Sequence, residues 1–179
     1  MAENDENNQA AAAAGQEQPT GPQFALQRIY LKDSSFESPR SPAVFQGQWT
    51  PKINFDIKTR SEKIQDGVYE VVLVLTAEAQ LEEKTAFLVE VHQAGIFTVA
   101  GFDAPQLEQV LAATCPTILF PYARETIDTF VVKGSFPALM LSPINFDMLY
   151  AQQKQQMAEQ ANAANGAASA DAPASDTAQ

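Results

Sequence analysis

Few side chains in this sequence could perform covalent chemistry, and those few are scattered. His92 is the single histidine and Cys115 the single cysteine. A Cys–His pair can generate a thiolate nucleophile, but Cys115 precedes Pro116 near the end of a helical stretch, where a cysteine reads as a small buried hydrophobe. His92 follows Glu90 along a strand and reads as a solvated surface residue. One Cys and one His cannot build a zinc cage, and one Cys cannot form an internal disulfide. Ser34, Ser35 and Ser142 have no evident base. Gly95 and Gly101 are isolated rather than part of a phosphate-cradling loop, and Glu82-Glu83 falls in a turn that two carboxylates keep wet. The expectation is a protein that is not an enzyme and that binds no metal or cofactor.

Charge points to partners rather than reactants. Lys and Arg total 11 against 22 Asp and Glu, a formal charge of -11. Residues 1–23 carry -4, residues 24–150 carry -5 and residues 151–179 carry -2. No basic patch exists for nucleic acid, whereas an acidic surface attracts lysine- and arginine-bearing proteins. Met1-Ala2-Glu3-Asn4-Asp5-Glu6 is acidic where a secretory signal is basic, and no apolar run is long enough to span a bilayer. With no disulfide available, these features predict a cytosolic protein.

The elements that must position any site lie between Phe24 and about Ala158. Residues 1–23 form an acidic tail and residues 159–179 an Ala-rich one, both too poor in large apolar side chains to offset ordering their backbone; 24–158 is the folded domain. Trp49, Pro51, Ile53, Phe55 and Ile57 alternate with polar residues and predict a strand. Asp66-Gly67 marks a hairpin, after which Tyr69, Val71, Leu73, Leu75, Ala77 and Ala79 share a strand face, with Val72 and Val74 blurring the other. Beyond Glu82-Glu83, Phe87, Val89 and Val91 point one way and Leu88, Glu90 and His92 the other. Phe24 to Phe36 is a further strand, joined to the next by a long crossover around Pro39 and Pro42. In the second half, Asp103 caps a helix with Pro105 in its first turn. Pro116 is expected to end or bend it, and Pro121 to start another that closes at Lys133-Gly134. Asn145 caps a last helix through Phe146 and Leu149. This order predicts an α+β fold: a four-stranded antiparallel sheet with helices packed on one face, the other face left to solvent.

Several segments carry a resemblance. Phe120-Pro121-Tyr122-Ala123-Arg124-Glu125, preceded by Cys115-Pro116-Thr117-Ile118-Leu119, resembles the helix signature of the SecB family of bacterial protein-export chaperones. Gln27-Arg28-Ile29-Tyr30, Val68-Tyr69-Glu70-Val71-Val72-Leu73, Thr85-Ala86-Phe87-Leu88, Gly134-Ser135-Phe136-Pro137 and Pro143-Ile144-Asn145-Phe146-Asp147 resemble it too, in order, so the likeness spans Phe24 to Tyr150.

The resemblance implies a homotetramer, a dimer of dimers with helices sandwiched between two outer sheets. It implies a chaperone that keeps export precursors unfolded without ATP and delivers them to the SecA motor ATPase by docking on the motor's basic, zinc-bearing C-terminal domain. The family's SecA-binding positions match Asp33, Glu37, Leu88 and Glu90, and its oligomer-interface positions match Phe87, Val89, Val91 and Gln93. Where the family often has Gln and Gly, this chain has His92 and Ala94. Unfolded clients share no sequence, so aromatic and apolar recesses are needed to hold them; Phe36, Phe45, Trp49, Phe136 and Phe146 are the candidates. Two rival readings are a small-ligand-binding α+β domain, which calls for polar groups converging in a pocket, and a purely structural subunit.

Overall fold

A computed structural model of the chain describes residues 21–169, with side chains to residue 160. Four strands, β1 (Gln23–Glu37), β2 (Lys52–Gln65), β3 (Val68–Leu81) and β4 (Lys84–Ala100), form one antiparallel sheet in the order β1-β4-β3-β2. Two hairpins, β2–β3 at Asp66-Gly67 and β3–β4 at Glu82-Glu83, build the middle of the sheet. The segment from Ser38 to Pro51 therefore carries the chain from one edge to the other. It wraps the end of the β3–β4 hairpin, where Ser38 Oγ donates to the Ala86 carbonyl and Arg40 Nη1 to the Leu81 carbonyl, with Val44 buried beneath.

The alternation expected of β3 and β4 is present. Val71, Leu73, Leu75, Ala77, Ala79, Phe87, Val89, Val91, Phe97 and Val99 form a buried inner face. Helix α2 (Cys115–Lys133) lies across β4 and β3. It buries Cys115, Leu119, Phe120, Ala123, Ile127 and Val131, a helical stripe spaced by three and four. Gly95 permits the close approach: a Cβ there would sit 2.6 Å from the Phe97 ring and 3.0 Å from Leu119.

Five expectations need correction. Trp49 and Pro51 lie before β2, in the crossover, because the crossover's own packing and not strand alternation places the indole. The outer face is not wholly solvated. Val72, Val74 and Ala94 are buried there against Tyr30, so the apolar residues that blurred β3 form a small second core. Pro116 and Pro121 do not divide the helices. Helix α1 (Ala104–Gln109), a π-helical turn (Val110–Thr114) and α2 run on continuously. The Cys115 N–H reaches back five residues to the Val110 carbonyl, so the helix widens by one turn immediately before Pro116, whose ring and missing N–H a regular α-turn does not accommodate.

At the end of α2, Gly134 has φ -73, and the left-handed position falls on Ser135 at φ 65. Ser135 N–H donates to the Val132 carbonyl and Phe136 N–H to the Val131 carbonyl, the paired bonds of a Schellman stop. Gly134 is required for space instead, since a Cβ would lie 2.3 Å from the Phe36 ring. Finally, helix α3 is Phe146–Ser169 and continues past Ala158. The acidic tail to residue 20 and the tail beyond residue 169 lie outside the described residues.

Candidate functional site

The sheet separates the residues that might have formed a nucleophilic pair. His92 is on the outer face, in register with Val74, while Cys115, at the start of α2, belongs to the core on the other side of the sheet. Burial raises the Cys115 thiol to about 12, so it is neither ionised nor reachable.

On the outer face, register brings together the four positions matched to SecA binding. Glu37 is opposite Leu88, Ser35 opposite Glu90 and Asp33 opposite His92 on the β1–β4 pair. A bulge between Leu31 and Asp33 keeps these β1 residues in phase with the outer residues of β4. Across β4, Glu78 is the other partner of Leu88 and Thr76 that of Glu90. Leu88, half-buried, thus sits between Glu37 and Glu78 with Glu90 next along its own face.

Both oxygens of Glu90 are held: Oε1 lies 2.8 Å from His92 Nε2, and Oε2 accepts from Thr76 Oγ1 at 3.1 Å. These bonds, the His92 one first, hold its carboxyl below the usual range. Glu78 accepts from Thr85 Oγ1 at 2.6 Å, which likewise lowers it. Lys32 pairs with Glu70 and Lys58 with Asp56. Among the described residues no lysine or arginine pairs with Asp33, Glu37, Glu78 or Glu90. The result is an apolar contact ringed by carboxylates that no lysine or arginine pairs directly. Glu78 escaped the sequence reading, because its place beside Leu88 depends on a bulge between Ala79 and Gln80 in the β3–β4 register.

The inner side has the opposite character. Four of the five client candidates meet in one cluster centred on Phe136. Phe136 lies 4.9 Å from Phe87, 5.1 Å from Phe45, 5.2 Å from Trp49 and 6.4 Å from Phe36, between ring centroids. Phe136 is buried and Phe45 is 47% exposed, so the cluster grades from core to surface. Phe146 is not part of it; its ring stands edge-on to Phe120 at 5.9 Å.

Phe146 instead lines a groove of about 880 Å³ between β2, the α1 region and α3, with Ile57, Leu107, Leu111, Leu149 and Tyr150. Lys154 spans its rim to Glu108 at 3.2 Å. Sequence reasoning missed this groove, although Phe146, Leu149, Tyr150 and Met157 repeat at helical spacing and could have announced a second apolar face.

Phe87, Val89 and Val91 are fully buried and Gln93 is 4% exposed within one subunit. They line the inner face of β4, under α2, and the fully buried Phe87, Val89 and Val91 belong to the core cluster that α2 packs against. The apolar residues left open are elsewhere: Tyr122 (52%) and Val132 (56%) on α2, and Phe24, Leu26 and Leu31 on β1.

The fold is thus a four-stranded antiparallel sheet with helices on one side, an acidic outer face on the other and an aromatic cluster at the edge. The profile of the family described as preprotein translocase subunit SecB matches residues 17–157. A protein-export protein SecB of Marinobacter nauticus is 58% identical over 161 residues, covering 90% of this chain and 94% of that protein. One of Hahella chejuensis is 61% identical over 146 residues, covering 81% and 92%. Among solved structures, a SecB-like chaperone of Mycobacterium tuberculosis, in complex with a peptide from an antitoxin, superposes with a TM-score of 0.52. It is 18% identical and covers 68% of this chain and 87% of its own; at that identity the likeness speaks for the fold alone. The chain belongs to the SecB family of protein-export chaperones. Membership decides between the rival readings: this is an export chaperone and not a small-ligand-binding domain.

Proposed function

We propose that this chaperone works in the cytosol as a homotetramer without nucleotide, gripping unfolded export precursors in its apolar recesses and handing them to the SecA motor through its acidic outer face. The observation that carries the reading is the register of β1 on β4, which gathers Asp33, Glu37, Leu88 and Glu90 into one patch. A basic domain carrying an apolar side chain suits it: Leu88 supplies the contact, and the unpaired carboxylates accelerate and orient docking.

Clients of no fixed sequence are served by two recesses, the Phe36–Phe45–Trp49–Phe136 cluster and the groove beneath α3. Each buried client side chain contributes about 1.5–3 kcal/mol, and engaging several along one chain adds avidity. Assembly would cover the open side chains of α2 and β1. Phe87, Val89, Val91 and Gln93 act on it indirectly, by setting where α2 lies on the sheet.

Glu90→Lys tests the docking face. The variant should remain tetrameric by light scattering, suppress aggregation of an unfolded protein as the wild type does, and lose SecA affinity by tenfold or more, ~1.4 kcal/mol. Unaltered SecA affinity in a folded tetramer would remove this patch from the mechanism, and a monomer indifferent to unfolded chains would sink the assembly and holding steps.

A further inference from the structure

We propose that His92 is a positioning residue of the docking face: when neutral it fixes Glu90 for a basic partner, and when protonated it offsets that carboxylate, so that docking weakens as the pH falls. The inference rests on the docking role proposed for this face. A carboxylate can only accept, so at 2.8 Å the imidazole donates from Nε2. Thr76 holds the other oxygen, and the pair leaves Glu90 one orientation; the nearby Lys58 charge also favours the carboxylate, but its ammonium is paired with Asp56. The imidazole is only 21% exposed while Glu90 is 43% exposed, so the carboxylate meets an incoming cation and the histidine stands behind it.

Other charges face His92 on every side. Asp33 is opposite it on β1, Lys32 fills the bulge beside Asp33, Lys58 of β2 lies in the same row beyond Val74, and Glu70 of β3 with Arg60 and Glu62 of β2 share the recess that His92 lines. Lys32 is engaged by Glu70; Glu90 is the group in direct contact with the ring. A charge gained several ångströms from an arriving lysine or arginine shifts affinity by about three- to tenfold.

The test uses the full-length, untagged protein, in which His92 is the sole histidine, so ¹³Cε1-histidine NMR reads that imidazole alone. Dissociation constants for SecA are measured at pH 7.5 and 5.5 with the wild type and with His92→Gln, whose amide can still donate to Glu90. Comparing the two chains at each pH cancels the motor's own titration. The expected result is equal affinity at pH 7.5 and wild-type binding about three- to tenfold weaker than the variant's at pH 5.5. Adding SecA should also move the wild-type imidazole midpoint downward, as reciprocity requires. Identical pH profiles for the two chains, or an unmoved midpoint with SecA bound, overturn the role of His92 and leave the docking face standing. No SecA binding by either chain at either pH would overturn the docking face and this inference with it.

Discussion

Strand β4 serves two environments with alternate residues. Leu88 and Glu90 face outward among Glu37, Glu78 and Asp33, while Phe87 and Val89 face inward and are wholly buried, Phe87 against Phe36, Trp49 and Phe136. The outer region offers charge at the surface, where each interaction is worth little to stability. The inner region offers rings whose burial dominates stability. A protein that must recognise one folded partner and many unfolded ones can place the two tasks on opposite sides of one sheet. Charge gives orientation and speed on one side; apolar area gives tolerance of sequence on the other.

The largest effect should come from breaking the inner region at its centre. Phe136→Ala removes the ring that touches Phe36, Phe45, Trp49 and Phe87, and it should cost about 3–5 kcal/mol in urea unfolding. Trp49, the single tryptophan, reports the same event because its ring lies 5.2 Å from Phe136. Its emission should shift to the red in the variant and respond less when a reduced, unfolded polypeptide is added. A variant as stable as the wild type would show that the cluster is a loose surface feature and not an extension of the core.

A smaller change separates the regions without mutation. Raising salt from ~0.1 M to ~1 M shortens the screening length from about 10 Å to about 3 Å. SecA affinity should then fall roughly tenfold if, as proposed, the outer patch docks the motor through carboxylates that no lysine or arginine pairs. Binding of an unfolded polypeptide should change by less than about twofold, since burial of apolar area does not depend on screening. Equal losses for both partners would mean that clients too are held by charge, and the division between the two sides would fail.

How far this division could be read beforehand depends on which relation is involved. Alternation within β3 and β4 was legible, because a pleated strand fixes which residues share a face. So were the caps at Asp103, whose side chain accepts from Gln106 N–H at 2.8 Å, and at Asn145, which accepts from Met148 N–H at 3.0 Å. Relations between strands were not. Counting back from the Glu82-Glu83 turn pairs Leu81 with Lys84 and Gln80 with Thr85, and the same count would set Leu88 against Ala77. The observed partner is Glu78, because the register slips by one between Ala79 and Gln80.

The helical run through Pro116 was equally hidden. Proline predicts a break, and only the packing of α2 along β4 and β3 gives the chain reason to widen one turn and continue. The resemblance supplied the names of the outer residues; the sheet explains why Asp33 and Glu90, distant in sequence, belong to one surface.

The smallest expected effect concerns whether the inner region must be pliable. Ser135 carries φ 65, a conformation that costs a non-glycine residue more than glycine, and it immediately precedes Phe136. Glycine at this C′ position keeps both Schellman bonds, because they use backbone groups alone. Relief of the left-handed penalty, about 1–2 kcal/mol, less the unfolded-state entropy glycine adds, about 0.4–1 kcal/mol, should make Ser135→Gly more stable by about 0.5–1 kcal/mol, read as a higher urea midpoint at unchanged slope. SecA affinity should not move, since Ser135 is on the helix side of the sheet and the carboxylates are on the other. If client affinity also stays within about twofold, the rings grip as a preformed surface. A clear loss of client affinity in the stabilised variant would mean that the aromatic cluster must open to receive an unfolded chain, with the strain at Ser135 keeping it ready to do so.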